Sequence, residues 1–260
     1  MALSALRSKV ESALTGRVIA PFTYRDRKVM ETVSTGIPAV DSLAGGLPRG
    51  GLTEICGPPC SGRTSLLLSA LASRTTEAEA CALVDGRDSF DPQAAAAAGV
   101  ELKQLLWVRC RNIEQALHAT DLLIQGGGFG LIAVDLSDIP QETVRHVQLH
   151  VWFRFRRAVE DSSTILLLLE QESNAKTCAS LVLRLAAERA RWSAALHGPG
   201  PHSVQHSNAC LLDGFEARAE VVSCRMEPAG GMPSSRDEAM SDEGCSAVAR
   251  VFALRASARG

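Results

Sequence analysis

"GPPCSGRTS", residues 57–65, sits between a short apolar run, "LTEIC" (52–56), and a longer one that begins "LLLSALAS" (66–73). Gly57, Gly62 and Thr64 satisfy the phosphate-loop pattern G-x-x-x-x-G-K-[ST], and Arg63 stands where the pattern has lysine. A strand running into a glycine-rich turn that opens a helix is the context such a loop needs. Its backbone N–H groups wrap phosphate oxygens, and the helix N-terminus faces them. The candidate phosphate-binding set is Gly57, Ser61, Gly62, Arg63, Thr64 and Ser65.

Further along the chain the strand-and-helix alternation repeats. "ACALVD" (80–85), "LLWVR" (105–109), "GLIAVDL" (130–136) and "TILLLLE" (164–170) read as strands. "DPQAAAAAG" (91–99), "NIEQALHATDLLIQ" (112–125) and "PQETVRHVQLHVWFRFRRAVE" (140–160) read as helices. The last is expected to be one long helix with Val144, Val147, Val151, Phe155 and Val159 as its apolar stripe. Apolar runs without alternation, separated by helices, indicate a parallel sheet covered on both faces.

From about residue 178 the period changes. Leu181, Leu183, Leu185 and Ala187 alternate with Val182, Arg184, Ala186 and Glu188, which predicts an extended strand. "FEARAEVVSCRM" (215–226) and "AVARVFALRA" (247–256) read as a final antiparallel pair. The fold class is therefore α/β. A mostly parallel central sheet is flanked by helices, with extra antiparallel strands at the C-terminal end. An N-terminal helix and connector take residues 1–33, a core domain residues 34–256 and a tail residues 257–260. Segments near 196–209 and 228–246 are rich in Pro, Gly, Ser and charge, a composition that predicts mobility.

Bulk properties exclude several classes. A formal net charge of −2 gives no whole-molecule attraction to nucleic acid, so any contact must come from a local basic patch. The most apolar run, "ILLLLE" (165–170), is strand length and too short to span a bilayer. Arg7, Lys9 and Glu11 interrupt the N-terminal apolar pattern, which excludes a secretory signal and points to the cytoplasm. Eight scattered cysteines with no C-x-x-C pair read as reduced thiols, with Cys56, Cys81 and Cys110 inside apolar runs. His202, His206 and Cys210 lie four residues apart, but no fourth ligand is nearby and no metal site is predicted. His146 and His150 read as ordinary histidines on one helix face.

"STGIPAVDSLAGGLPRGGLTEICGPPCSGRTS" (34–65), "ALVDGRDSFDPQAAAAAGVELKQLLWVR" (82–109) and "GLIAVDLSDIP" (130–140) occur in order, and together they resemble the ATPase core of RecA-type recombinases. The resemblance covers residues 34–256. "GPPCSGRTSL", "LVDGRDSFDP" and "GGFGLIAVDL" look most like the small bacterial RecA-like proteins called ImuA, accessory factors of damage-inducible mutagenesis.

The resemblance implies an ATP and Mg²⁺ site in which the Thr64 hydroxyl meets the metal and Asp135 holds it from the neighbouring position. It implies that the strand ending at Asp135 lies beside the strand leading into Gly57. Two positions depart from the family's chemistry. Arg63 keeps the lysine's charge but is longer and planar, and is expected to swing outward. Arg87 stands where the family has the glutamate that orients the attacking water, and Asp88 is one residue too late. Gln171 matches the place of a γ-phosphate sensor, or is simply a polar residue at a strand end. Catalysis is therefore assigned to no residue. ATP binding is expected to be weak or absent.

Three functions compete. The first is a non-catalytic RecA-like accessory protein of the SOS response and translesion synthesis, contacting a RecA-type recombinase and a Y-family polymerase-like protein. The second is an active RecA/RadA-type DNA-dependent ATPase with Arg63 doing the lysine's work. The third, a small-molecule kinase, lacks a lid segment with clustered arginines. Arg63 and Arg87 favour the first.

The two DNA-binding segments of the family look shortened here, to "SDIPQ" (137–141) and "ESNAKT" (172–177). Arg154, Arg156 and Arg157, near Trp152 and Phe153, either touch phosphates or form a solvated basic face over two core aromatics. Leu3, Leu6, Val10 and Leu14 make one helical stripe, which packs on its own core or docks on another RecA-like subunit.

Overall fold

The structure is a computed structural model that describes residues 30–193, 211–225 and 249–255. The stripe Leu3, Leu6, Val10 and Leu14, the His202–Cys210 group and both segments expected to be mobile lie outside the described residues. No helix among the described residues is long and apolar enough to cross a membrane.

A two-stranded antiparallel ribbon, β1 (Thr32–Val33) with β2 (Leu47–Pro48), brackets the short helix α1 (Pro38–Ala44). The chain then enters β3 (Leu52–Cys56), α2 (Arg63–Thr76), β4 (Cys81–Asp85), α3 (Pro92–Ala97), β5 (Leu105–Arg109), α4 (Ile113–Gly126) and β6 (Leu131–Asp135). It continues through α5 (Gln141–Arg145), α6 (Leu149–Val159), β7 (Ile165–Glu170), β8 (Leu181–Ser193), β9 (Leu211–Cys224) and β10 (Ala249–Arg255). Local chemistry starts the helices. Asp91 accepts from the backbone N–H groups of Gln93 and Ala94 at the head of α3, with Pro92 at its first position. Asn112 accepts from Gln115 N at the head of α4.

The main sheet has eight strands in the order β10-β9-β8-β3-β7-β6-β4-β5. Strands β3 to β8 pair in parallel, and β9 and β10 extend the sheet antiparallel. Both faces are covered, as the unbroken apolar runs require. Val40 of α1 and Leu66, Leu67, Ala70 and Leu71 of α2 pack on one face with Ile55 and Leu167. Ala116 of α4 and Trp152, Phe155 and Val159 of α6 pack on the other with Leu52 and Leu168. Cys56, Cys81 and Cys110 are buried, as their surroundings in sequence implied.

The structure corrects the expected position of β6. It shares the sheet with β3 but does not adjoin it, because β7 runs between them, with Leu167 in register with both Thr53 and Ala133. Every residue of β7 is 0% exposed, including Glu170. A strand that is apolar on both faces gains most from a place with a neighbour on each edge and helices above and below.

The segment 140–160 is also not one helix. α5 ends at Arg145, Gln148 is extended with ψ 141°, and α6 restarts at Leu149. The break changes which side chains reach the core. Trp152 is fully buried against Phe155, with ring centroids 6.1 Å apart, while Val147 and Val151 are only partly buried. An indole removes far more apolar area from water than a valine, so the rotated helix is the better packed one. Phe153 is 57% exposed and is not a core residue. In β8, Leu181, Leu183 and Leu185 are buried as their alternation implied, but Ala187 is exposed, where the register with β9 shifts.

Phe155→Ala would remove a fully buried ring between α6 and the sheet. We expect a loss of about 3–5 kcal/mol in unfolding free energy. Urea titration should show a lower midpoint with an unchanged slope.

Candidate phosphate-binding site

The loop after β3 is held from three sides. Gly57 N donates to the carbonyl of Gln171 at 3.1 Å, and Ser61 N donates to the carbonyl of Pro58 at 3.3 Å. A Cβ at Gly57 would lie 2.3 Å from the carbonyl oxygen of Leu185, so glycine is required there by the close approach of β8. Cys60 and Gly62 have φ of 61° and 96°, and these left-handed turns aim the chain into α2 at Arg63. The N–H groups that open α2 have no partner inside the helix, which leaves them for an anion.

A cavity of about 250 Å³ opens over this loop, with Arg63, Thr64, Asp135, Ser137, Phe90 and Asp91 among its walls. Thr64 is exposed and Ser65 half-buried. The hydroxyls of Ser61 and Ser137 are buried and have no hydrogen-bond partner. Asp135 is half-buried, and its Oδ1 accepts from Ser137 N at 2.9 Å. Burial pushes the Asp135 carboxyl above the usual carboxylate range, against the Ser137 hydrogen bonds that lower it.

Arg63 does not swing outward. Its side chain turns into the protein, is 7% exposed, and donates from Nη1 to the main-chain oxygen of Glu170 at 2.6 Å. Burial lowers its affinity for the proton, while Asp135 and Asp138 oppose that shift. The reason for the inward turn is local supply. The pairing of β7 stops at Glu170, so a carbonyl at its end is available, and the long stem of arginine reaches it.

Arg87 and Asp88 follow the end of β4. Arg87 is exposed, and its Nε donates to the carbonyl of Asp138 at 3.3 Å. Asp88 has φ 60° and is held in a fork by Arg109, with both contacts 2.6 Å, outside the cavity. Arg109 in turn lies over the Trp107 ring, 5.0 Å from its centroid. Sequence reasoning missed the organiser of this loop, Asp85. It is 1% exposed and accepts from the N–H groups of Arg87, Ser89 and Phe90 and from Trp107 Nε1. Its signal was available in part, as an aspartate that ends an apolar strand before a turn.

Gln171 Nε2 donates to the carbonyl of Ser137 at 2.9 Å, so it ties the end of β7 to the turn after β6. Arg154, Arg156 and Arg157 are not brought to the cavity, because α6 covers the opposite sheet face from α2. Arg154 lies 3.4 Å from Asp121, and Arg157 bonds Glu160 at 3.1 Å. The exposed neighbour of these arginines is Phe153, not Trp152.

The residues present therefore fit a phosphate chain through the backbone cradle, Thr64 and Asp135. Arg63 is bonded to the main chain of Glu170, and the residue two positions after Asp85 is Arg87, not a carboxylate. Gly57→Ala tests the packing of the cradle. Its Cβ would force β8 or the loop to shift, and we expect a cost of about 1–3 kcal/mol, read by chemical denaturation.

The RecA N-terminal domain family matches residues 1–143 of this chain. Protein RecA of Acinetobacter baumannii is 36% identical over 136 residues, covering 52% of this chain and 39% of that protein. Protein RecA of Brucella canis is 39% identical over 137 residues, covering 52% of this chain and 38% of that protein. The chain thus spans about two fifths of the length of these relatives. The crystal structure of the RadB recombinase superposes with a TM-score of 0.54 at 17% identity, covering 74% of this chain and 90% of that one, a likeness of fold alone. On the match to more than half of its length, the chain belongs to the RecA N-terminal domain family.

Proposed function

We propose that this chain is a non-catalytic RecA-like accessory protein of the DNA-damage response, of the ImuA kind, which acts through protein contacts in translesion synthesis. The single observation that carries the reading is the inward Arg63, bonded to the main chain of Glu170. Asp88, engaged by Arg109, and the outward Arg87 support it. ATP with Mg²⁺ is at most a weak ligand, held by Gly57, Ser61, Gly62, Thr64, Ser65 and Asp135, with Gln171 beside it. The partners in this reading are a RecA-type recombinase, assigned to the stripe Leu3, Leu6, Val10 and Leu14, and a Y-family polymerase-like protein on a different face. Self-association would use the same stripe. The proposed location is the cytoplasm.

ATP turnover by the purified chain should fall at least about 10²-fold below that of an active recombinase, the scale of losing one electrostatic contact to a transition state. Arg63→Lys combined with Arg87→Glu should raise nucleotide affinity in a titration with Mg²⁺. Turnover at a recombinase's rate that disappears in Thr64→Ala would instead establish the RecA/RadA-type ATPase.

Contact with DNA in this reading is through phosphates alone. Arg154→Ala, Arg156→Ala and Arg157→Ala together should weaken single-strand binding and flatten its salt dependence in fluorescence anisotropy. Unchanged affinity assigns these arginines to the solvated, acid-paired surface.

A further inference from the structure

Glu54 lies in the middle of β3 and Glu170 ends β7, and both are 0% exposed. The strands pair in parallel with Cys56 opposite Glu170, so the two glutamates leave the same sheet face two residues apart in register. Three donors converge on Glu54. Ser173 Oγ and Asn174 N each stand at 2.5 Å, and Ala175 N at 3.0 Å. Both carboxyl oxygens of Glu54 thus have donors within the fold. Glu170 Oε2 accepts from Asn174 Nδ2 at 2.6 Å, and its Oε1 is buried with no donor.

No cation resolves the pair. Among the described residues, no Lys, Arg or His nitrogen lies within 4.0 Å of either carboxylate. Arg184 of β8 is exposed, and Arg63 of α2 reaches the main-chain oxygen of Glu170 and not its side chain. Cys178, on the turn Lys176–Cys178, directs its thiol to the carbonyl of Leu149, and burial pushes that thiol up. On the loop itself, Glu172 is exposed and paired with Arg145 of α5. Two full negative charges in this setting would repel without compensation, and a proton is the occupant that fits between them.

We infer that Glu54 and Glu170 share one proton, carried by Glu170, and that this proton latches the segment 171–175 against the phosphate loop. The coupling is covalent and short. Glu170 and Gln171 supply the two carbonyls that hold Arg63 and Gly57, and Asn174 bridges both carboxyl groups. Loss of the proton places like charges together, loosens Asn174 and Ala175, and frees the anchor of Arg63. Desolvation and the neighbouring Glu54 raise the Glu170 carboxyl well above the ordinary glutamate range. A raised folded value means that the fold binds the proton more tightly than the unfolded chain. The stabilisation is complete below the unfolded value and is lost as pH rises through the folded one.

Infrared spectroscopy in D₂O tests this on the unmodified chain. A protonated-carboxyl band should be present at neutral pH and vanish toward alkaline pH, together with faster amide exchange at Asn174 and Ala175. Glu170→Gln should remove that band and flatten the fall of melting temperature over the same range. Absence of the band at neutral pH, or its survival in Glu170→Gln, overturns the inference. Should Glu170→Gln fail to fold, Glu54→Gln serves. Removing the neighbouring charge should move the band's titration to lower pH, and an unmoved titration overturns the shared proton.

Discussion

Parallel pairing of β3 with β7 on one edge and β8 on the other is the constraint on which the rest depends. Because β3 is central, the turn that leaves it emerges among the ends of three strands. The phosphate loop is therefore shaped by its neighbours as much as by its own glycines. Leu185 of β8 presses on Gly57, Gln171 beyond β7 accepts its N–H, and Glu170 accepts Arg63. Glu54, on β3 itself, reaches the other way and fastens the segment that follows β7. One strand thus carries the loop and secures the segment beside it.

A buried guanidinium sets the character of the site. Arginine keeps its charge at every physiological pH, so inside the protein it must find acceptors. Arg63 finds a main-chain carbonyl and not a carboxylate, an arrangement that satisfies one donor without neutralising the cation. A ligand phosphate would compete with that carbonyl. The same economy of partners governs the opposite wall, where Arg109 binds Asp88 and Asp85 collects the N–H groups of the turn. These side chains hold the walls of the cavity in place.

Much of this was legible in residues. The order of strands and helices follows from apolar runs and from the caps Asp91 and Asn112, which act within a few positions of themselves. The identities of Arg63 and Arg87 at two demanding positions were plain as chemistry. Their destinations were not, because an arginine's direction depends on which acceptors lie several ångströms away. The break before α6 was hidden for a related reason. The valines of 140–160 satisfy one continuous helical stripe, and only the space beneath the sheet favours Trp152 over Val151.

The sequence by itself determined the α/β class, the parallel core with its antiparallel extension, the phosphate-loop context and the arginines at positions 63 and 87. Each of these rests on local periodicity or on residue identity at fixed spacing. Tertiary structure alone decided that β7 separates β3 from β6, that Arg63 turns inward, and that Asn174 bridges Glu54 and Glu170. Those contacts join residues far apart in the chain, more than a hundred positions in the case of Glu54 and Asn174, and no short-range pattern encodes them. They arise when burial forces every strand edge, cation and carboxyl to find a partner across the sheet.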